Sequence, residues 1–305
     1  MSSKPVLDCM VIGAGPAGLA AGIYLRRFHR EVRVFDGGAS RARRIPLTRN
    51  YPGFPEGISG ADLLSRLQQQ LARQGGGVTM QQVAALRRGD DGTFVAQTSG
   101  PDVAARTVLL ATGVVDVEPA IPGVEPLRLR GLLRYCPICD GYDHSGQRVA
   151  VVGRGRHGVR EALFIRHFSQ HVALINADAD DLPDETERQA LQAHQVEVLT
   201  GPAQSVEQQE DGSILLTPAA GEPRRFDVLY AALGTRVRSE LAATLGAAQD
   251  EGGCLVVDAH LRTSVDGLYA AGDVVSSLSQ LTVATGQAAI AATAIHNALA
   301  PLRPA

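Results

Sequence analysis

The sequence predicts an α/β protein of two three-layer domains, each a parallel sheet wrapped by helices, with the second domain inserted in the first. Three observations carry this. Gly13-Ala14-Gly15-Pro16-Ala17-Gly18 follows a short apolar run, and Gly153-Arg154-Gly155-Arg156-His157-Gly158 follows another. Helical spacing follows each turn and a second apolar run follows each helix, the alternation of a parallel sheet with crossover helices. Apolar runs ending in small residues recur at Val108–Gly113, Leu229–Gly234 and Gly267–Asp273, so the first unit resumes after the second has ended. Strand–turn–helix–strand units of this kind are Rossmann-like.

Taken in order, Val6 to Ile12 reads as a strand, Leu19 to Arg27 as a helix, and Glu31 to Phe35 as a second strand ending at Asp36. The later copy repeats this pattern. Val149 to Val152 is a strand, Val159 to Phe168 a helix, and His171 to Ile175 a strand ending at Asn176. Asp36 stands 23 positions after Gly13, and Asn176 stands 23 positions after Gly153. The chain therefore carries an internal repeat. Val283 to Leu299 is Ala-rich and helical. Asp116-Val117-Glu118-Pro119 and the Leu233-to-Val237 region read as crossings between domains. The expected boundaries are 1–116 with 242–305 for the first domain and 117–241 for the second.

Composition narrows the function classes. The chain has 305 residues, 45% of them hydrophobic, enough for two cores. A net charge of -3 and the lack of a dense basic run argue against nucleic acid and anionic membrane as partners. No apolar run reaches transmembrane length, and Met1–Pro5 leads into a strand without a signal peptide's apolar region. A cytoplasmic location is expected. Of four cysteines, only Cys136 and Cys139 are close in sequence, which is no secreted disulfide framework. A zinc site would need two further ligands. His144 is one candidate, but no second CxxC exists, so no metal is expected. Cys9 reads as a core residue and Cys254 as a turn residue without chemistry.

The glycine turns have a physical logic. The first glycine permits a tight turn, the second lets backbone approach a pyrophosphate, and the third lets helix and strand pack closely. The helix N-terminus then offers amide donors and a positive dipole end to phosphate. Asp36 stands where a carboxylate accepts from a ribose 2′-hydroxyl. A glycine turn without a ligand is the bland alternative. In Cys136-Pro137-Ile138-Cys139-Asp140-Gly141, a CxxC beside βαβ patterns reads as redox-active. Two nucleotide-type turns bracketing one vicinal dithiol imply electrons passing between a bound cofactor and a disulfide.

These residues, in this order, resemble the low-molecular-weight thioredoxin reductases of bacteria. The resemblance runs through the turn at Gly13, Asn50-Tyr51-Pro52-Gly53, Ala111-Thr112-Gly113, the CxxC segment and Ala270-Ala271-Gly272-Asp273. It implies an FAD domain built by the first and last segments, and a middle domain carrying the dithiol and a pyridine-nucleotide site. By resemblance, Gly13, Gly15 and Gly18 cradle the FAD pyrophosphate and Asp36 holds the adenosine ribose. Asp273 with Gly272 would serve the ribityl chain, with Gly113, Asn50 and Gln280 also at the cofactor. Cys139 would face flavin, Cys136 would attack substrate, and Asp140 would donate or accept the proton, although Asp140 also reads as a simple turn residue. The resemblance further implies a homodimer, rotation of one domain against the other, and a thioredoxin-like protein or a small dithiol or disulfide as partner.

The second nucleotide site, Gly153, Gly155, Gly158 and Asn176, departs from the family pattern. NADPH-using members place arginines after the corresponding strand, whereas this chain has Asn176-Ala177-Asp178-Ala179-Asp180-Asp181. Carboxylates there would repel a 2′-phosphate. Arg154 and Arg156 occupy the turn, where they would either contact phosphate or obstruct the groove, and Ser279 replaces an arginine. The pattern therefore disfavours strong NADPH use and leaves NADH, a reduced partner protein or no reductant at all open, so the choice between NADH and NADPH is not fixed by the sequence. The expected function is an FAD-dependent thiol–disulfide oxidoreductase that reduces a substrate disulfide. The alternative is an NADPH-independent dithiol oxidase that forms disulfides and reduces oxygen. A flavin-dependent redox sensor is a non-enzymatic third.

Overall fold

The computed structural model describes residues 6–178, 182–199, 201–275 and 278–299. The chain divides into two units, Met1–Val115 with Arg236–Ala305, and Asp116–Thr235.

The first unit begins with β1 (Leu7–Ile12), almost wholly buried, followed by α1 (Pro16–Arg27) and β2 (Val32–Phe35). Then come α2 (Gly60–Arg73), β3 (Val78–Thr79), β4 (Val83–Arg88), β5 (Phe94–Thr98), β6 (Val103–Leu110) and β7 (Val114–Asp116). The strand order β3-β2-β1-β6 is parallel throughout. On the far edge of β6, antiparallel β5 lies beside its first half and parallel β17 (Leu268–Ala270) beside its last residues. Antiparallel β4 completes the sheet. Helix α8 (Leu281–Ala298) packs its Ala284, Ala288, Ala291, Ala292 and Ile295 face into one core with α1. Alanine at these positions permits close helix approach.

The second unit contains α3 (Val124–Leu129), β8 (Leu133–Arg134), α4 (Pro137–Asp140), β9 (Arg148–Gly153), α5 (Gly155–Ile165) and β10 (His171–Asn176). It continues through α6 (Glu185–Ala193), β11 (Glu197–Leu199), β12 (Ala203–Gln208), β13 (Ile214–Pro218), β14 (Arg224–Phe226) and β15 (Val228–Ala232). Strands β11-β10-β9-β15-β8 form a parallel sheet, and β12-β13-β14 an antiparallel one. Strand β16 (Thr235–Val237) follows at the second crossing, and α7 (Glu240–Ala243) lies in the first unit. Just after that crossing, the Arg238 amide donates to Gly113 O at 3.0 Å, and its carbonyl accepts from Thr112 Oγ1 at 2.6 Å, both within the first unit.

Both helices after the glycine turns start earlier than the apolar spacing suggests, at Pro16 and Gly155. The turn itself forms the first helical residues. Gly13 has φ +109°, and a Cβ at Gly18 would lie 1.8 Å from Gly13 O. In the second unit a Cβ at Gly153 would lie 2.4 Å from Gly158 Cα. No side chain fits in either contact, so backbone packs on backbone there.

Two side chains lead to stability predictions. Arg30 is 2% exposed and donates Nε to His296 Nδ1 at 3.1 Å and Nη2 to His296 O at 3.0 Å, tying α8 to the loop before β2. Arg30→Ala is expected to cost about 2–4 kcal/mol in urea unfolding; a loss below about 0.5 kcal/mol would contradict this. In α5, burial pushes the Glu161 carboxyl up to about 7 from an ordinary 4.5. His157, 3.8 Å away, is itself pushed toward its neutral form by burial and then by Arg160, which weakens any charge it offers Glu161. The folded state binds the extra proton, so stability falls as pH rises from about 4.5 to about 7. Glu161→Gln should therefore stabilise by about 1–2 kcal/mol at alkaline pH and by much less at mildly acid pH. Equal gains at both pH values would refute this origin.

Candidate redox and nucleotide sites

In the second unit, Cys136 and Cys139 are joined by a disulfide with Cα atoms 5.3 Å apart. The local chain makes this easy. Pro137 starts the single turn of α4 with its φ already helical, and Cys139 N donates to Cys136 O at 2.9 Å. The bonded residues thus stand one turn apart. Gly141 follows because a Cβ there would meet the Phe168 ring at 2.8 Å.

Asp140 is 8% exposed and is held at both carboxylate oxygens. Arg134 donates Nε to Oδ2 at 2.7 Å and a second guanidinium nitrogen to the same atom. Tyr230 donates its hydroxyl to Oδ1 at 2.5 Å. Burial, then the Asp140 charge, pushes the Tyr230 phenol far above its ordinary range, so it remains a donor. Sequence reasoning missed both partners. Arg134 and Tyr230 face each other in the register of β8 and β15, and only a lone hydroxyl in an otherwise apolar strand hinted at the contact. The other cysteines lie elsewhere. Cys9 is fully buried, its thiol pushed up to about 12 by burial, and Cys254 is partly buried.

The first unit brings the other expected positions together. Gly13, Gly15 and Gly18 form the turn into α1, whose first turn holds no acidic residue. Asp36 is buried at the end of β2, its Oδ1 accepting from Gly38 N at 3.0 Å. Asn50 Nδ2 donates to Gln280 Oε1 at 3.0 Å, and Asn50 Oδ1 accepts from Thr48 at 2.8 Å. Gly272 N donates to Gln287 Oε1 at 2.8 Å, while Asp273 pairs with Arg41 at 3.3 Å. Gly113 has φ +66° and accepts from Arg238. Arg41, in a one-turn 3-10 helix at Arg41–Arg44, was not anticipated, because only the fold sets it beside Asp273. This set fits a dinucleotide: an acid-free helix N-terminus for phosphate, a buried carboxylate for ribose, and amide side chains for polar ring atoms.

The second turn is differently furnished. Arg154 Nε pairs with Asp178 at 2.7 Å and Arg156 with Glu187 at 3.5 Å, so both turn arginines already face carboxylates. Asp180 and Asp181 lie outside the described residues. Asn176 is 2% exposed, and its Nδ2 is the one buried side-chain polar atom among the described residues without a hydrogen-bond partner. A donor left unpaired at that strand end fits a ribose hydroxyl. Among the described residues, no group of three His, Cys, Asp or Glu side chains is arranged to hold a metal ion, and no helix is long and apolar enough to cross a membrane.

Comparison with known proteins agrees with this geometry. Residues 7–288 match the family described as pyridine nucleotide-disulphide oxidoreductase. A thioredoxin reductase of Mycolicibacterium smegmatis is 31% identical over 283 residues, covering 90% of each chain. The crystal structure of HlmI superposes with a TM-score of 0.89 at 28% identity, covering 97% of this chain and 93% of that one. The thioredoxin reductase of Streptococcus pyogenes MGAS5005 superposes with a TM-score of 0.87 at 26% identity, covering 97% and 98%. The chain belongs to the pyridine nucleotide-disulphide oxidoreductase family and is an FAD-dependent thiol–disulfide oxidoreductase of the thioredoxin-reductase-like class.

Proposed function

We propose that this enzyme passes electrons from FAD through the Cys136–Cys139 pair to the disulfide of a thioredoxin-like protein or a small disulfide substrate. The observation that carries the reading is the bonded Cys136–Cys139 pair followed by buried Asp140. Bound FAD supplies the two-electron couple. Residues Gly13, Gly15 and Gly18 hold its pyrophosphate, and Asp36 accepts from the adenosine ribose. Asp273, freed from Arg41 or sharing it, serves the ribityl chain with Gly113 and Gly272 beside it. Asn50 and Gln280, joined by their own hydrogen bond, orient the flavin ring.

Cys139 is assigned to the flavin side and Cys136 to substrate, with Asp140 holding the exchanged proton. A thiolate at Cys136 attacks the substrate disulfide, giving a mixed disulfide and one released sulfur, and Cys139 then resolves it. The first unit is assigned as the FAD domain, and the second as the dithiol and pyridine-nucleotide domain. The enzyme is assigned to the cytoplasm as a homodimer; the family resemblance and its few cysteines, with no disulfide besides Cys136–Cys139 among the described residues, support this.

Electron donor choice turns on the second glycine turn. Asn176 Nδ2 suits a ribose hydroxyl, whereas Asp178 stands where a 2′-phosphate would be gripped. Missing one bidentate Arg–phosphate pair and gaining a carboxylate should cost roughly 2–4 kcal/mol, on the order of 30- to 1000-fold in affinity. NADPH is therefore expected to reduce the flavin no better than NADH. Anaerobic addition of NADPH, NADH and a small dithiol, each followed by flavin bleaching, tests this; rapid stoichiometric bleaching by micromolar NADPH would refute it. Cys139→Ser is expected to leave bound FAD that no longer exchanges electrons with dithiols. Normal turnover of disulfide substrates by that variant would take the dithiol off the electron path.

A further inference from the structure

Asp140 follows the dithiol directly, yet its carboxylate is held from two strands of the same unit. Arg134 ends β8 and Tyr230 is central in β15, and the two are register partners in adjacent parallel strands. Their side chains therefore rise from neighbouring positions and close on the two carboxylate oxygens separately: the guanidinium on Oδ2, the phenol on Oδ1. All three groups are nearly closed to solvent, Tyr230 at 1% exposure and the Arg134 side chain at 12%. Asp143 acts on Tyr230 through its charge, and the His144 ring meets Tyr230 edge-on at 6.1 Å.

A buried phenol in the otherwise apolar run Val228–Ala232 is costly unless its hydroxyl is used. A buried guanidinium is costlier still without a carboxylate partner. Packing alone would favour Phe and an aliphatic residue at these positions, so the two polar groups call for a chemical explanation.

We propose that Arg134 and Tyr230 are positioning residues of the dithiol chemistry, clamping the Asp140 carboxylate by both oxygens and holding it in place for proton exchange with the dithiol. This rests on the reading that Asp140 is the proton-exchanging group. In the reduced protein, the Cys136 thiolate attacks one sulfur of the substrate disulfide. The new bond is the mixed disulfide, and the broken substrate S–S bond leaves its electron pair on the departing sulfur. The Cys139 thiol gives its proton to Asp140 and attacks Cys136 Sγ, releasing the second substrate sulfur. The pair is oxidised by two electrons and the substrate reduced by two. Asp140 hands its proton to one departing sulfur, and the other leaves as a thiolate. Two fixed donors make charge-assisted hydrogen bonds to the carboxylate, so removing either should move the pH profile of thiol exchange upward.

The test uses the full-length, FAD-loaded protein, reduced with excess dithiothreitol and desalted without oxygen. Stopped flow follows single-turnover oxidation by 5,5′-dithiobis(2-nitrobenzoate) across mildly acid to alkaline pH, and iodoacetamide alkylation gives a second readout. Tyr230→Phe removes only the hydroxyl. It should shift the midpoint of both pH profiles upward by roughly one unit, with flavin content and near-ultraviolet circular dichroism unchanged. Arg134→Lys should shift them less than Arg134→Met, since it keeps a cation but loses the fork. Profiles of Tyr230→Phe and both Arg134 variants that superimpose on the parent, while Asp140→Asn loses its pH dependence, would overturn the clamp and leave Asp140 its role. A parent-like rate and profile in Asp140→Asn would instead overturn the reading of Asp140, and the clamp with it.

Discussion

Backbone meeting backbone at the end of a central strand is the constraint on which both units depend. Gly18 against Gly13, and Gly158 against Gly153, bring a helix N-terminus closer to the sheet than any side chain allows. That approach does two things at once. It closes the βαβ unit, and it aims the first free amides of α1 and α5 at a point beyond the strand ends, where anionic ligands are stabilised. The two turns share this geometry and differ in their surroundings. The first leads to an acid-free helix turn and a buried carboxylate; the second is flanked by Arg154–Asp178 and Arg156–Glu187 pairs and an unpaired Asn176 amide.

The dithiol is held by a different logic. Its geometry is local, one turn of helix begun by proline, while its electrostatic setting is assembled from far along the chain. Asp140 is turned away from solvent because β8 and β15 set a cation and a phenol side by side. One polar triad thus decides what the residue after the second cysteine is able to do. The arrangement also explains why Tyr230 tolerates near-complete burial in an apolar strand: its one polar atom is satisfied by a charge.

Much of this was legible in the sequence. The strands around both glycine turns, the later apolar strands and the C-terminal helix lie close to the positions that periodicity indicates, because burial on both faces of a parallel sheet leaves continuous apolar runs. The antiparallel β4–β5 and β12–β14 elements were missed. Their alternation is shallow, with exposed polar residues such as Arg87 and Glu207 on the open face. Side-chain partnerships were legible only where they are local. The Asn50–Gln280, Arg41–Asp273 and Tyr230–Asp140 contacts join residues brought together by sheet order, and nothing in the linear sequence records that order. Arg154 posed a question that the fold answers: its charge is spent on Asp178, just beyond the strand that follows its helix.

The central claim is that the Cys136–Cys139 disulfide and bound FAD form one electron-storing system. An anaerobic dithionite titration of the purified, FAD-loaded protein measures this directly, with free thiols counted at the end point. The account predicts uptake of about four electrons per FAD, two for the flavin and two for the disulfide, with two new thiols that map to Cys136 and Cys139. Uptake of about two electrons per FAD, with the disulfide still intact when the flavin is fully bleached, would contradict it.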